Sequence, residues 1–343
     1  MVNALTGFPV IREGCVRLAP LAALPAVAAD RGVSMSGLLE SVGLAPDLFE
    51  DLENTATMAD IGRLLAASAA ALGCEHVALD LARRITLNTL GPIGALSRQA
   101  PNVGAALRGL ILALHLHDRV TVPTLNFVEG RAALGAVPIG PATVGAAYIA
   151  DLTTAACAAI VQGLCGTGWR PQEVHLARRR PRDPRPWAAL FRVPPKFDAE
   201  TNRVIFDAAW LKHPVAADGT AVGADPFGSI LSLHPLDPPA RVRRFCVTAI
   251  MEGNPTVQRV ARLGGVSRRT LNRQLATFGT TAQAELIRVK LAIARQLLEG
   301  TDLSLTEIAH LLGYADGSAF TRAFRSAEGI SPSQWRGGRV SVL

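Results

Sequence analysis

LTEIAHLLGYADGSAFTRAFRSAEG, Leu305 to Gly329, is the second of two related stretches, and the fold of the chain turns on that relation. The first copy is VQRVARLGGVSRRTLNRQLATFG, Val257 to Gly279. Val257, Val260, Ala261 and Leu263 recur as Leu305, Ile308, Ala309 and Leu311, and Gly265 recurs as Gly313, each 48 residues later. Past the turn the second copy has one extra residue, so Leu271 and Leu275 correspond to Phe320 and Phe324 at a displacement of 49. Each copy has the same physical form. A short helix carries a small Ala where a second helix must cross closely. A glycine follows, where a side chain with Cβ would be costly. A second helix then shows apolar positions four apart. This is the helix-turn-helix pattern, present twice.

The helix starts agree with it. Asn254-Pro255 offers a cap residue before Pro at a first helical position, and Ser304 with Glu307 forms a capping box. Ser267 and Asp316 are suited to cap the second helix of each copy. Between the copies, AQAELIRVKLAIARQLLEG shows one apolar stripe of Leu286, Val289, Ile293, Ala294, Leu297 and Leu298. About 17 helical residues span roughly 25 Å. Such a strut suits two helices placed in successive major grooves, roughly 34 Å apart.

Charge singles out the same region. The net charge is +7, yet from Ala240 onward there are 15 Arg and Lys against 7 Asp and Glu, and before it 20 against 21. A basic segment beside a neutral one points to a polyanion-binding module joined to something else. At 343 residues two domains are expected, and 49% hydrophobic residues with 18% charged argue against disorder.

The segment from Pro255 to Arg336 resembles the DNA-binding domain of the arabinose-regulator (AraC/XylS) family of bacterial transcription factors. The portion that carries the resemblance is LSLTEIAHLLGYADGSAFTRAFRSAEGISPSQWR. It matches an E-I-A helix, a glycine–aromatic turn, an S-x-F-x-R-x-F helix and an ending of G-x-S-P, two residues, an aromatic and Arg. FDAETNRVIFDAAWLKHPVAAD and GLLESVGLAPDLFEDLENTATMADIGRLLAASAAALG are similar, less specifically, to the ligand-binding domain of one branch of that family. Relatives often have an aromatic near Thr280–Ala282, where this chain has TTAQ. The resemblance implies double-stranded promoter DNA, a small effector, RNA polymerase and a second copy of the chain as partners, in a bacterial cytoplasm.

Apolar positions of the recognition helices face inward, so the others face DNA. In the first copy these are Arg268, Arg269, Asn272 and Arg273, with Arg suited to guanine and Asn to adenine. In the second they are Ser318, Thr321, Arg322 and Arg325, a set weighted toward backbone contacts. Ser331-Pro332-x-Gln334 caps a further short helix, leaving Trp335 to pack and Arg336 to reach a phosphate. Arg288, Lys290 and Arg295 on the strut are phosphate contacts or solvated side chains.

The preceding residues read as mixed helix and strand. MSGLLESVGL, MADIGRLLAASAAAL and AALRGLILALHL have helical spacing, the last opened by Pro101-Asn102. Arg119–Val128 and Arg131–Val137 alternate around a Glu-Gly turn and predict a β-hairpin. Tyr148–Leu164 is a long helix, too interrupted by Asp151 and Gln162 for a membrane span, and EVHLARR and NRVIFD are candidate strands. The fold class expected is an α+β effector or dimerisation domain over 1–213, a linker over 214–239 rich in small residues, Gly and Pro, and an all-α domain of two helix-turn-helix units over 240–343. RRRPRDPRP, Arg178 to Pro186, reads as an exposed loop. The effector pocket is expected among the hairpin, the helix Tyr148–Leu164 and the N-terminal helices, with an apolar lining suited to an apolar or amphipathic effector.

Other chemistry is thinly represented. Five cysteines without a Cys-x-x-Cys pair, and an N-terminus without a signal-peptide pattern, fit a reducing cytoplasm. Cys157 and Cys165 can share a helix face as a redox pair, or serve as small buried hydrophobes. His115-x-His117-Asp118 reads as two metal ligands on a strand, or as polar residues at a helix-to-strand junction. No Gly-rich phosphate loop, Gly-x-Ser-x-Gly or His-Glu-x-x-His occurs. The expected function is an effector-controlled, sequence-specific transcription regulator, without catalytic residues, cofactor or metal. The alternatives are a constitutive dimeric DNA-binding regulator, and a small-molecule enzyme fused to a DNA-binding tail.

Overall fold

The computed structural model describes residues 11–140, 144–216 and 226–338. The reading of the N-terminus falls on residues 1–10, outside the described residues, as do residues 217–225 of the expected linker.

The first domain opens with strand β1 (Cys15–Arg17) and helices α1 (Leu24–Ala29) and α2 (Met35–Ser41). Strand β2 (Thr55–Thr57) pairs antiparallel with β1 and runs into α3 (Met58–Ala71). A Thr57–Asp60 capping box starts that helix. Helices α4 (Val77–Ala82), α5 (Gly91–Ser97) and α6 (Val103–Ala113) follow. Asn102 caps α6 by accepting from Ala105 N at 2.8 Å. Strands β3 (Thr121–Val128) and β4 (Arg131–Pro138) form the expected hairpin, with Val122 opposite Val137 and Pro123 opposite Ala136. Its two-residue turn has Glu129 at φ 51° and Gly130 at φ 76°. Both central residues are left-handed, the geometry that matches the twist of paired strands. Helix α7 (Ala146–Cys165) crosses the domain, followed by β5 (Glu173–His175), α8 (Arg185–Phe191) and β6 (Arg203–Asp207). The sheet order is β3-β4-β6-β5, antiparallel throughout.

Helix α7 is long and apolar enough to cross a membrane. Here it packs against α3, α4 and the sheet, and it encloses the buried Asp151. Asp151 receives Trp187 Nε1 at 2.8 Å and an ion pair from Arg178. This pair corrects the reading of Arg178–Pro186 as an exposed loop: Arg178 is buried, its guanidinium 4.7 Å above the Trp187 ring. Burial raises the Asp151 carboxyl to about 6, against the pull of Arg178.

The stretch expected as a linker contains helix α9 (Gly228–Leu233). Phe227 and Ile230 are buried in the first domain's core. A Cβ on Gly109 of α6 would lie 2.1 Å from the Phe227 ring, so that glycine makes the seat.

The second domain is helical: α10 (Pro238–Met251), α11 (Val257–Leu263), α12 (Arg268–Ala276), α13 (Ala282–Gly300), α14 (Leu305–Leu311), α15 (Gly317–Glu328) and α16 (Pro332–Gly337). Helices α11–α12 and α14–α15 are the two helix-turn-helix units, and α13 is the strut. Its 19 residues make it about 28 Å long. Asn254 does not cap α11: Thr256 does, accepting from Arg259 N at 3.2 Å, so the helix begins two residues after Pro255. The Ser304–Glu307 box forms as expected, and a Ser331–Gln334 box starts α16. The turn glycines Gly265 and Gly313 lie at φ 65° and 67°, where a side chain is strained.

Candidate nucleic-acid interface and effector cavity

Helix α12 divides cleanly into two faces. Leu271 and Leu275 are buried. Arg268, Arg269 and Arg273 are exposed, and their side chains make no hydrogen bond or ion pair to a described residue. Ser267 starts the helix by accepting from Thr270 N at 3.1 Å, which puts Arg268 and Arg269 in the first turn, the end a recognition helix turns to base edges. Asn272 has a different partner from the one expected. It is half-buried, and its Oδ1 accepts from Ala282 N at 2.9 Å. Bidentate pairing with adenine uses both the amide oxygen and the amide nitrogen, and the oxygen is already occupied at the start of α13. Thr281 also caps α13, and Thr280 Oγ1 donates to Glu285 at 2.7 Å. A polar network of Asn272, Thr280, Thr281 and Glu285 thus fills the junction between α12 and α13.

Helix α15 has the same division with different chemistry. Phe320 and Phe324 are fully buried, 5.7 Å apart, and Trp335 meets Phe324 edge-on at 5.5 Å. Asp316 caps the helix by accepting from Ala319 N at 2.7 Å. Ser318, Arg322 and Arg325 are exposed. Thr321 is half-buried and donates to Gly317 O at 2.7 Å. Arg336 does not reach outward: it donates to Leu303 O at 2.7 Å and Leu298 O at 3.3 Å, closing the end of the strut. The strut's own cations are also engaged. Arg288 pairs with Glu285, Arg295 pairs with Glu328 at 2.8 Å, and buried Lys290 lies 4.8 Å from the Tyr314 ring centre.

The second domain docks through α10 and α13, the helices that do not carry the recognition faces. Val122 and Val137 of the hairpin belong to the second domain's core, with Val242, Cys246 and Ile293. Around this patch Gln296 Nε2 donates to Pro138 O at 2.7 Å, Arg119 pairs with Asp237 at 2.8 Å, and Arg244 donates to Ile111 O at 2.8 Å. Arg179 holds the C-terminal end of α13: its backbone N donates to Gly300 O at 2.6 Å and its guanidinium pairs with Asp302 at 2.5 Å. Sequence reasoning missed these residues, because each partner lies about a hundred positions or more away in the chain.

On the other face of the hairpin lies a cavity of about 150 Å³. It sits among β3, β4, α7 and the N-terminal helices, as expected. Aliphatic side chains such as Leu21, Ile61, Leu110 and Ile160 dominate its wall. Thr121, Pro123, Leu134 and Ala136 close it on the hairpin side. Arg17, His117, Asp118 and the thiol of Cys157 are the ionisable groups that touch it. Arg17 pairs with Glu53 and donates to Leu116 O at 3.2 Å. Asp118 Oδ1 accepts from Val120 N at 2.7 Å and Thr121 N at 2.8 Å. His117 Nε2 is buried without a partner among the described residues. Burial drives the His117 imidazole from its ordinary 6.5 to about 4, with the Arg17 charge adding to the effect, so it is neutral at pH 7.

His115 and His117 lie at the helix-to-strand junction, not on a strand. The His115 ring nitrogens lie 2.9 Å from Leu112 O and 2.7 Å from His234 O, and the neutral ring donates to one of the two. A different trio, Cys74, His76 and Asp80, brings three ligand atoms within 4.8 Å of one another, though Asp80 is paired with Arg31 at 3.0 Å. Burial pushes the Cys157 and Cys165 thiols up to about 12, so neither is a ready thiolate.

Two features, a doubled helix-turn-helix and a partly open apolar cavity in the preceding domain, have counterparts in known proteins. Residues 32–215 match the family described as the arabinose-binding domain of AraC transcription regulator, N-term, and residues 260–338 match a helix-turn-helix domain family. The chain is 30% identical to the ornithine utilization regulator of Pseudomonas aeruginosa over 324 residues, 92% of this chain and 94% of that one. It is 34% identical to the transcriptional activator NphR of a Rhodococcus species over 108 residues, 32% of each chain. The crystal structure of the transcriptional regulator CdpR from Pseudomonas aeruginosa covers 76% of this chain and 86% of its own, at 24% identity and a TM-score of 0.38. The chain therefore belongs to the family of AraC-type transcription regulators, built from an arabinose-binding-type first domain and a helix-turn-helix DNA-binding domain.

Proposed function

We propose that the protein is a bacterial cytoplasmic regulator that reads a specific promoter sequence and is switched by a small effector held in its first domain. Arg268, Arg269 and Arg273 read bases and adjacent phosphates in one major groove. Ser318, Thr321, Arg322 and Arg325 track the backbone in the next. Asn272 and Arg336 hold the recognition helices in place and do not read DNA. The protein acts as a homodimer on paired half-sites and meets RNA polymerase there, without a catalytic step of its own. The chain divides into a first domain over 1–213, a joining stretch over 214–239 whose α9 packs back on that domain, and a DNA-binding domain over 240–343.

One observation carries the effector reading. The β3–β4 hairpin is a single sheet layer with two partners. Pro123 and Ala136, directly opposite each other, face the cavity, whereas Val122 and Val137, also opposite, lie in the core of the DNA-binding domain. Any molecule that fills the cavity presses on the layer against which α10 and α13 rest. An effector acts by favouring one of two states, and this layer gives it a short physical route.

Selection of binding sites from random duplexes by the full-length protein tests the reading. The expected result is enrichment of one sequence with two half-sites, lost or weakened in Arg269→Ala. No enrichment over bulk DNA at any salt concentration would overturn it.

A further inference from the structure

We propose that the cavity takes a neutral, ring-sized apolar molecule bearing a single hydroxyl, which meets His117, and that it rejects charged metabolites. This rests on the effector reading above and adds the chemistry of the effector.

Size sets the first limit. A void of about 150 Å³ lined by aliphatic side chains holds one six-membered ring. Polarity sets the second. Leu21, Ile61, Leu110 and Ile160 give a ligand no hydrogen bonds. Arg17 is already paired with Glu53, and Asp118 Oδ1 already accepts two backbone N–H groups. A carboxylate placed here would lose its hydration without a free cation in return, because Arg17 is committed to Glu53; an ammonium would find only the Asp118 carboxylate, whose Oδ1 is already engaged by two N–H groups, and a zwitterion would leave at least one charge uncompensated. An α-amino acid with a second amine, such as the ornithine in the name of the Pseudomonas relative, brings three charges into that environment.

His117 supplies the specific term. It is 4% exposed, it lines the cavity, and its Nε2 has no partner among the described residues. A buried nitrogen left unmade is costly, and polar groups so placed are normally satisfied by protein, water or ligand. Desolvation keeps the ring neutral, so Nε2 is either a lone pair or an N–H. A hydroxyl both donates and accepts, so it fits either tautomer. An amine cation or a carboxylate fits only one, and brings charge as well.

The test uses the full-length protein and four probes: cyclohexanol, methylcyclohexane, L-ornithine and L-arabinose. Melting temperature and calorimetric affinity are measured for each. Cyclohexanol is expected to raise the melting temperature and to bind roughly tenfold more tightly than methylcyclohexane, the value of about one hydrogen bond. His117→Phe is expected to erase that preference, and His117→Gln to restore part of it. Ala156→Phe, which fills the cavity from α7, is expected to abolish both cyclohexane probes while the circular dichroism stays native. The wild-type comparison needs no variant to fold. Binding of ornithine or arabinose with none by cyclohexanol overturns the proposal, as does an unchanged alcohol preference in His117→Phe. Operator affinity is read with and without cyclohexanol. Binding without any change in operator affinity sinks the effector reading, while leaving the cavity chemistry standing.

Discussion

The two helix-turn-helix units share one backbone plan and differ in what fills it. The first has an aliphatic core of Leu271 and Leu275, a free turn at Gly265 and three arginines on its outer face with no partner among the described residues. The second has an aromatic core of Phe320, Phe324 and Trp335, and its turn is wedged. A Cβ on Gly313 would lie 2.2 Å from Pro255 Cγ, whereas one on Gly265 would meet nothing within 4 Å. The second unit's turn therefore seats against the residues that lead into the first. More of its neighbouring cations also face inward: Lys290, Arg295 and Arg336 all bond within the domain. The difference teaches that duplication of a fold did not duplicate its work. One unit leaves three arginines exposed on its second helix, and the other draws more of the neighbouring cations into holding the domain together.

Four tests bear on that division. Phe324→Ala should have the largest effect, a loss of about 3–5 kcal/mol in chemical denaturation, because a large buried ring leaves a cavity beneath Trp335. If Leu275→Ala costs more, the second unit is not the structural anchor. Gly313→Ala should cost about 2–4 kcal/mol, from left-handed strain plus the clash with Pro255, against about 1 kcal/mol for Gly265→Ala. Equal melting temperatures for the two would remove the wedge from the account. Arg269→Ala should weaken operator binding by about 5- to 150-fold and relax sequence preference, while Arg322→Ala should weaken binding to all duplexes by a smaller factor and flatten the salt slope. Equal loss on random DNA for Arg269→Ala would reverse the assignment. Asn272→Ala should have the smallest effect, about 1 kcal/mol of stability, comparable to a lost helix cap, with sequence preference intact. A shift in the preferred base at one position would return Asn272 to the reading surface.

What could be read from the sequence was local. The repeat, the Ser267 and Asp316 caps, the Ser304–Glu307 box and the Glu129-Gly130 hairpin turn are all decided by residues within a few positions of one another. The inward roles of Leu271, Leu275, Phe320 and Phe324 follow from spacing alone. What could not be read depends on partners far along the chain. Asn272 looks like a base reader until Ala282 N is found beside it. Arg178 looks solvated until Asp151, 27 residues earlier, is found buried against it. Phe227 lies in a stretch of small residues and prolines, and nothing nearby reveals that Gly109 has left room for its ring. The cavity was legible as a region, since the elements around it were, but the unpartnered ring of His117 was masked by the neighbouring His115 and Asp118, which suggested a metal.

The hairpin has a further consequence for how this regulator can change. Side chains on a strand alternate, so β3 and β4 assign odd and even positions to different masters. A one-residue slip in pairing would send Val122 toward the effector and Pro123 toward the DNA-binding helices, exchanging both surfaces at once. The tight Glu129-Gly130 turn guards against that slip. Effector preference and domain docking are thus written in alternate letters of one short word. Evolution can respell either set by substitution, but an insertion or deletion within the hairpin would garble both together.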